Sequence, residues 1–157
     1  MTTDVVWSRH VEDYLSALDR GDRAGALQQA RALRSDGHEL LDVMLHLIAP
    51  AQLQVGELWV SDTWSVAQEH AATAISEAVV TTLAVDREGQ AQAPRDAPSV
   101  VVSCVEQEWH ALPALMVSEQ LRASGRKDES AQLSSTARGP VSWTCRTRPW
   151  AEEFAPR

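Results

Sequence analysis

Four successive segments in the first half of the chain carry apolar residues at three- and four-residue steps. This spacing puts the apolar side chains on one face of an α-helix, so it predicts four amphipathic helices over residues 4–90. Gly21 and Gly37 are expected to end the first two helices, and Ser65 followed by Gln68 is a capping-box pattern at the start of the fourth. Helices joined by short connections bury their apolar faces against one another, so we expect a four-helix bundle.

The pattern changes after the fourth helix. Residues 86–97 have no apolar period and are predicted to form a linker. Residues 99–105 are rich in β-branched side chains and suit a short buried strand, although a run of this length does not exclude a helix. Residues 112–124 regain helical spacing. Strand, loop and helix in this order open a doubly wound domain, so the predicted fold class is α+α/β: a four-helix bundle, then a partial Rossmann-like (flavodoxin-like) segment over 98–125.

The last part of the chain, residues 126–157, has a different composition. It holds six Lys/Arg and four Asp/Glu, a charge of +2, whereas residues 1–125 hold eight and eighteen, a charge of −10. It contains one Leu, one Val and no Ile or Met, so it has little apolar surface to offset the entropy of ordering. We expect an irregular tail, and one hypothesis is that it is the out-of-frame end of a truncated gene.

Composition and charge exclude several classes of function. The net charge of −8 argues against non-specific nucleic-acid binding, which needs clustered Lys and Arg, so no direct contact with nucleic acid is expected. No apolar stretch has the length of a membrane span, and the first residues lack the layout of a signal peptide. Two cysteines form no disulfide framework. We therefore expect a cytoplasmic protein without membrane contact, and no side-chain set with catalytic spacing marks it as an enzyme.

A first group of chemically distinctive residues lies around the start of the fourth helix. Trp59 ends the third predicted helix, and Val66, Glu69 and His70 lie near one face of the fourth. Buried glutamate is rare without a partner, so a carboxylate beside an imidazole and an indole is unusual for a bundle core. The alternative interpretation is an exposed Glu69–His70 corner in which Trp59 is an ordinary packing residue.

A second group follows the predicted strand. His110 precedes the next helix, and neutral imidazole is a good ligand for a transition metal. Glu108 could accept the other ring N–H, which would fix the tautomer and make the imidazole more basic. No other Cys or His lies at zinc spacing, but a single axial ligand suffices when a macrocycle fills the equatorial positions of the metal. The alternative is a solvent-exposed loop histidine.

Together, the two groups resemble those of cobalamin-binding proteins, in which a four-helix cap precedes a Rossmann-like corrinoid domain. The similarity covers roughly residues 5–125 and is greatest to light-sensing regulators that depend on adenosylcobalamin. A Trp followed at a fixed distance by Glu-His is the cap pattern, seen here as Trp59 with Glu69 and His70. The corrinoid signature of an acidic residue, then His, then Gly is present as Glu108 and His110 but ends in Pro113 instead of glycine.

The resemblance implies a role for each residue. His110 would be the lower axial ligand of cobalt, and Glu108 would hold it. Trp59 would cover the upper face of the cofactor, and Val66 and Glu69 would line the same pocket. His70 would be the cap histidine that reaches the metal after light breaks the cobalt–carbon bond. The resemblance thus implies a cobalamin cofactor, as adenosylcobalamin or methylcobalamin, and a regulatory or light-responsive binding module.

Two other functions stay open. A corrinoid carrier for a methyltransferase would use the same lower ligand with a cap that opens. Alternatively, a truncated helical interaction protein would bind no cofactor, as the proline at 113 and the missing later motifs of the corrinoid domain suggest. The resemblance allows two kinds of protein partner: further copies of this chain in a homo-oligomer, or a transcriptional regulator.

Overall fold

The computed structural model describes residues 2–86, 99–100, 102, 111–124 and 127–128. Six α-helices, one π-helical turn and two short strands lie in these ranges. Within them, no helix has the length and apolar character needed to cross a membrane.

The helices follow the predicted order along the chain. Helix α1 spans Thr2–Asp19, α2 spans Arg23–Ser35, α3 spans Leu40–Val43, α4 spans Ala49–Val60, α5 spans Val66–Asp86 and α6 spans Leu112–Ala123. A π-helical turn, Met44–Ile48, joins α3 to α4 without leaving helical backbone angles. The third predicted helix is therefore one rod made of three pieces.

Local signals in the sequence set most of the helix ends. Gly21 and Gly37 adopt φ values of 64° and 98°, which glycine reaches without steric cost, and the chain leaves α1 and α2 there. Ser65 and Gln68 form the predicted reciprocal cap before α5. The Ser65 amide donates to Gln68 Oε1 at 3.0 Å, and the Gln68 amide donates to Ser65 Oγ at 3.3 Å.

The predicted four-helix bundle is confirmed for the described residues. Helix α1 contacts α2 and α4, and α5 contacts the same two helices from the other side. The core between them is apolar and tightly closed, and its largest fully buried side chains include Tyr14, Leu40, Met44, Leu47, Ile48 and Val55. Burial of these side chains is the main source of stability for helices of this length.

The π-helical turn lies directly before Pro50. Pro50 has no N–H to continue the regular hydrogen-bond ladder, and the amide of Ala49 bonds to the carbonyl of Met44, five residues back. The rod therefore passes Pro50 without ending.

Helix α6 and the two strands form a parallel βαβ connection beside the bundle. Strand β1, Ser99–Val100, pairs in parallel with β2, Lys127–Asp128, in the register Ser99 to Lys127 and Val100 to Asp128. Helix α6 contacts α5 and α3, and its Leu112 is buried in the bundle core. Residues 127–128 form a short strand within the segment predicted to be mostly irregular, because pairing of main-chain groups needs no apolar period. The predicted strand at 99–105 lies outside the described residues beyond residue 100, apart from residue 102, and so do residues 129–157. The Rossmann-like segment predicted over 98–125 therefore stays a prediction.

Candidate functional site

The corner between α4 and α5 holds the first predicted group. Helix α4 ends at Val60, and the amides of Thr63 and Trp64 both donate to the carbonyl of Leu58 at 2.9 Å. Trp64 is buried and anchors the turn, while Asp62 takes a positive φ of 56° at its tip. Since the turn is fixed by both hydrogen bonds and packing, the last turn of α4 and the first turn of α5 are held side by side.

Two apolar side chains of the group face outward at this corner. Trp59 is 47% exposed and Val66 is 54% exposed. Trp59 therefore lies at the surface of the bundle and not in its core.

Glu69 and His70 divide between the interior and the surface. The Glu69 side chain is only 14% exposed, whereas that of His70 is 57% exposed. Glu69 Oε2 contacts His70 Nδ1, and its other oxygen, Oε1, lies 3.0 Å from Thr73 Oγ1. The Glu69 carboxylate is therefore largely buried and has polar partners. The His70 imidazole lies at the surface.

A chain of polar side chains continues from Glu69 into the core. Thr73 Oγ1 also lies 3.0 Å from Gln52 Oε1, and Gln52 Nε2 lies 2.8 Å from Ser76 Oγ. The buried Tyr14 hydroxyl donates to Ser76 Oγ at 3.3 Å. This polar chain, Tyr14–Ser76–Gln52–Thr73–Glu69, joins α1, α4 and α5, and it satisfies groups that burial would otherwise leave unpaired.

Burial changes the acidity of the phenol at the inner end of this polar chain. Removal from water disfavours the phenolate and raises the pKa of Tyr14 from 10.0 to about 12, while the hydrogen bond with Ser76 acts in the opposite direction. Tyr14 is therefore a neutral donor at any physiological pH.

An exposed apolar strip runs along the outer face of the same rod that carries Trp59. Leu45, Leu53 and Val60 are exposed on it, and Leu53 keeps 71% of its surface in water. Gly56 lies between Leu53 and Val60, and a Cβ placed on it would meet no other atom within 4 Å. The strip thus offers an open apolar surface with a missing side chain in the middle.

A groove lies between this strip and α6. It encloses about 450 Å³, and its walls are apolar except for Gln52 and Gln120. Pro113 lines it from the first turn of α6, where a proline is tolerated because that N–H has no partner within the helix. The proline that stands at 113 in place of the glycine of the corrinoid signature therefore does not prevent α6 from forming.

The second predicted group cannot be placed. Glu108 and His110, the residues proposed to hold cobalt, lie outside the described residues. Across the described ranges no cluster of three or more His, Cys, Asp or Glu side chains is arranged to hold a metal ion.

Sequence reasoning missed Gln52, Ser76 and Tyr14. A signal existed for Gln52, because it is a polar residue inside an apolar helical run, but its partners on α5 are 21 and 24 residues away. It also missed a cluster in which the Trp7 ring centroid lies 4.8 Å from His38, 5.2 Å from His46 and 6.2 Å from His10. Trp7 and His10 lie on α1, whereas His38 and His46 come from later segments, so only the fold reveals the whole cluster.

The comparison with protein families identifies this helical unit. Residues 11–84 match the family model of a B12 binding domain. This part of the chain is similar to the members of that family. The match begins inside α1 and ends near the end of α5, so it covers the bundle with Trp59, Val66, Glu69 and His70. No curated protein matches the chain significantly.

The residues at the corner fit a corrinoid cofactor. A corrin is a wide, flat macrocycle, and covering one of its faces needs an open apolar surface with an aromatic side chain nearby. The exposed strip supplies that surface, and Gly56 leaves room for close approach. The family match supports binding of a cobalamin-type cofactor in general, and it does not distinguish one form of cobalamin from another.

Proposed function

We propose that the chain is a cobalamin-binding regulatory module, responsive to light, that holds adenosylcobalamin beneath the corner of α4 and α5. The observation that carries the proposal is that Trp59, on the last turn of α4, and Val66 and Glu69, on the first turn of α5, lie inside the segment that matches the B12 binding domain. When bound, adenosylcobalamin supplies a weak cobalt–carbon bond that visible light can break.

The protein's own residues have three tasks in this proposal. Trp59 and Val66 cover the upper ligand and exclude water from it, which limits side reactions of a broken bond. Glu69 accepts hydrogen bonds from the upper ligand. His110 would hold the metal, and Glu108 would orient its imidazole. The Rossmann-like segment that begins with β1 and α6 would complete the lower side.

Glu69 favours the adenosyl form over the methyl form that a methyltransferase carrier would use. An ionised carboxylate only accepts hydrogen bonds, and ribose hydroxyls and an adenine amine can donate them. A methyl group offers no donor, so methylcobalamin would gain no hydrogen bond from this carboxylate.

Reconstitution in the dark tests the proposal. The full chain is mixed with adenosylcobalamin, passed over a gel-filtration column, and its absorption spectrum is recorded before and after illumination. We expect co-elution and a light-dependent spectral change, with weaker binding by Trp59→Ala and a changed dark spectrum for His110→Ala. Val85→Ala serves as a control, since Val85 is also exposed but lies at the far end of α5.

Each alternative gives a different result. Tight binding of methylcobalamin with little affinity for adenosylcobalamin would indicate the carrier. Absence of binding to either form would indicate the non-binding interaction protein and would refute the proposal.

A further inference from the structure

At Thr73, the polar chain from Tyr14 to Glu69 has more hydrogen-bond acceptors than protons. Thr73 has one hydroxyl proton, yet two carbonyl-type oxygens, Gln52 Oε1 and Glu69 Oε1, lie 3.0 Å from its oxygen. If the proton goes to Glu69, the oxygen of Gln52 faces a lone pair of Thr73. One of the two contacts would then be repulsive inside a part-buried site.

A half-turn of the Gln52 amide removes this conflict. It exchanges the oxygen and nitrogen of the amide, two atoms whose positions are assigned from the hydrogen-bond network around them. The oxygen pair between Ser76 and Gln52 is then 2.8 Å apart, and the nitrogen–oxygen pair between Gln52 and Thr73 is 3.0 Å apart. Both distances match the usual values for O–H···O and N–H···O bonds better than the reverse assignment does.

With that orientation each of the four contacts pairs one donor with one acceptor, and all four bonds run the same way. Tyr14 donates to Ser76, Ser76 to Gln52, Gln52 to Thr73, and Thr73 to Glu69. Hydrogen bonds aligned in this way polarise and strengthen one another. The series ends at a carboxylate, the one member that only accepts, and so it fixes the position and rotamer of Glu69.

We infer that Gln52 and Thr73 are positioning residues that hold the Glu69 carboxylate toward the upper ligand, and that they thereby select a cobalamin whose upper ligand can donate hydrogen bonds. This inference rests on the proposed function. Gln52 also lines the groove beside the exposed strip, and it reaches Glu69 through Thr73.

Substitution of Thr73 tests the inference. Thr73→Val keeps the shape of the side chain and removes its hydroxyl, Thr73→Ser keeps the hydroxyl, and Gln52→Met breaks the same link from α4. The matched control is Thr82→Val, because Thr82 is on the same helix and donates only to the carbonyl of Ala78, at 2.7 Å. Affinity for adenosylcobalamin and for methylcobalamin is measured in the dark by absorbance titration.

We expect Thr73→Val and Gln52→Met each to weaken adenosylcobalamin binding about five- to tenfold, as loss of one hydrogen bond implies, and to change methylcobalamin binding less than about twofold. The double variant should be no weaker than the stronger single variant, because both act through Glu69. Thr73→Ser and Thr82→Val should behave like the unmodified chain. Equal weakening for both cobalamins, or none, would overturn the inference.

A measurement without cofactor separates this inference from the proposed function. In nitrogen-15 NMR spectra, the ring Nδ1 of His70 reports its contact with Glu69. Thr73→Val should move this resonance and Thr82→Val should not, and an unmoved resonance would overturn the positioning role. If the unmodified chain binds neither cobalamin, both the proposed function and the selection between cobalamins are refuted. A shifted His70 resonance in Thr73→Val would still support the positioning of Glu69.

Discussion

Ionisation of one buried residue, Tyr14, should lower the stability of the folded protein at high pH. The side chain is fully buried, and its pKa rises from 10.0 in the unfolded chain to about 12 in the folded one. A raised folded-state pKa means that folding favours the protonated phenol. This contribution to stability is complete below pH 10 and is lost as the pH rises through 12.

The size of the effect follows from the shift. Each unit of pKa corresponds to about 1.4 kcal/mol, so the whole contribution is about 3 kcal/mol, and roughly half of it is lost by pH 11. Tyr14→Phe removes the titrating group together with one hydrogen bond, which costs about 1 kcal/mol at neutral pH. The free energies of unfolding of the two proteins should therefore differ at pH 8 and become nearly equal at pH 11.

Urea unfolding at pH 8, 10 and 11, followed by tryptophan fluorescence, measures this difference. Titration of lysines affects both proteins alike and cancels in the comparison. The chain has one tyrosine, so the near-ultraviolet absorbance of tyrosinate follows Tyr14 directly in the folded state. A stability difference that does not change between pH 8 and pH 11, or tyrosinate forming near pH 10 in the folded protein, would refute the reasoning.

Three further substitutions, at Leu112 and at Gly56, test the surfaces beside the candidate site. If α6 is part of the bundle core, Leu112→Ala should lower the free energy of unfolding by about 2–4 kcal/mol. The control is Val117→Ala, at an exposed position, which should change it by less than about 0.5 kcal/mol. Urea unfolding measures both. Gly56→Ala should raise stability by up to about 1 kcal/mol, because its Cβ meets open space inside a helix. Gly56→Phe should leave the fold intact and weaken adenosylcobalamin binding about tenfold or more, because its ring fills the middle of the strip. Unchanged binding would show that the strip does not contact the ligand.

The candidate site was partly visible in the sequence. Trp59, Val66, Glu69 and His70 lie within twelve residues of one another, so a short turn was enough to bring them together. The sequence did not show which of Glu69 and His70 would be buried, because burial depends on how α5 is turned against α4. It also gave no means of linking Gln52 to Thr73.

The sequence by itself determined the helices and where they end, because these depend on neighbours within one or two turns. Gly21 and Gly37 supply the positive φ, and Ser65 with Gln68 supplies the cap, and each of these acts locally. Only the tertiary structure decided how Glu69 is held. Tyr14 and Ser76 are 62 positions apart, and their contact exists only after the helices pack, since the free energy that brings them together comes from burial of the whole core.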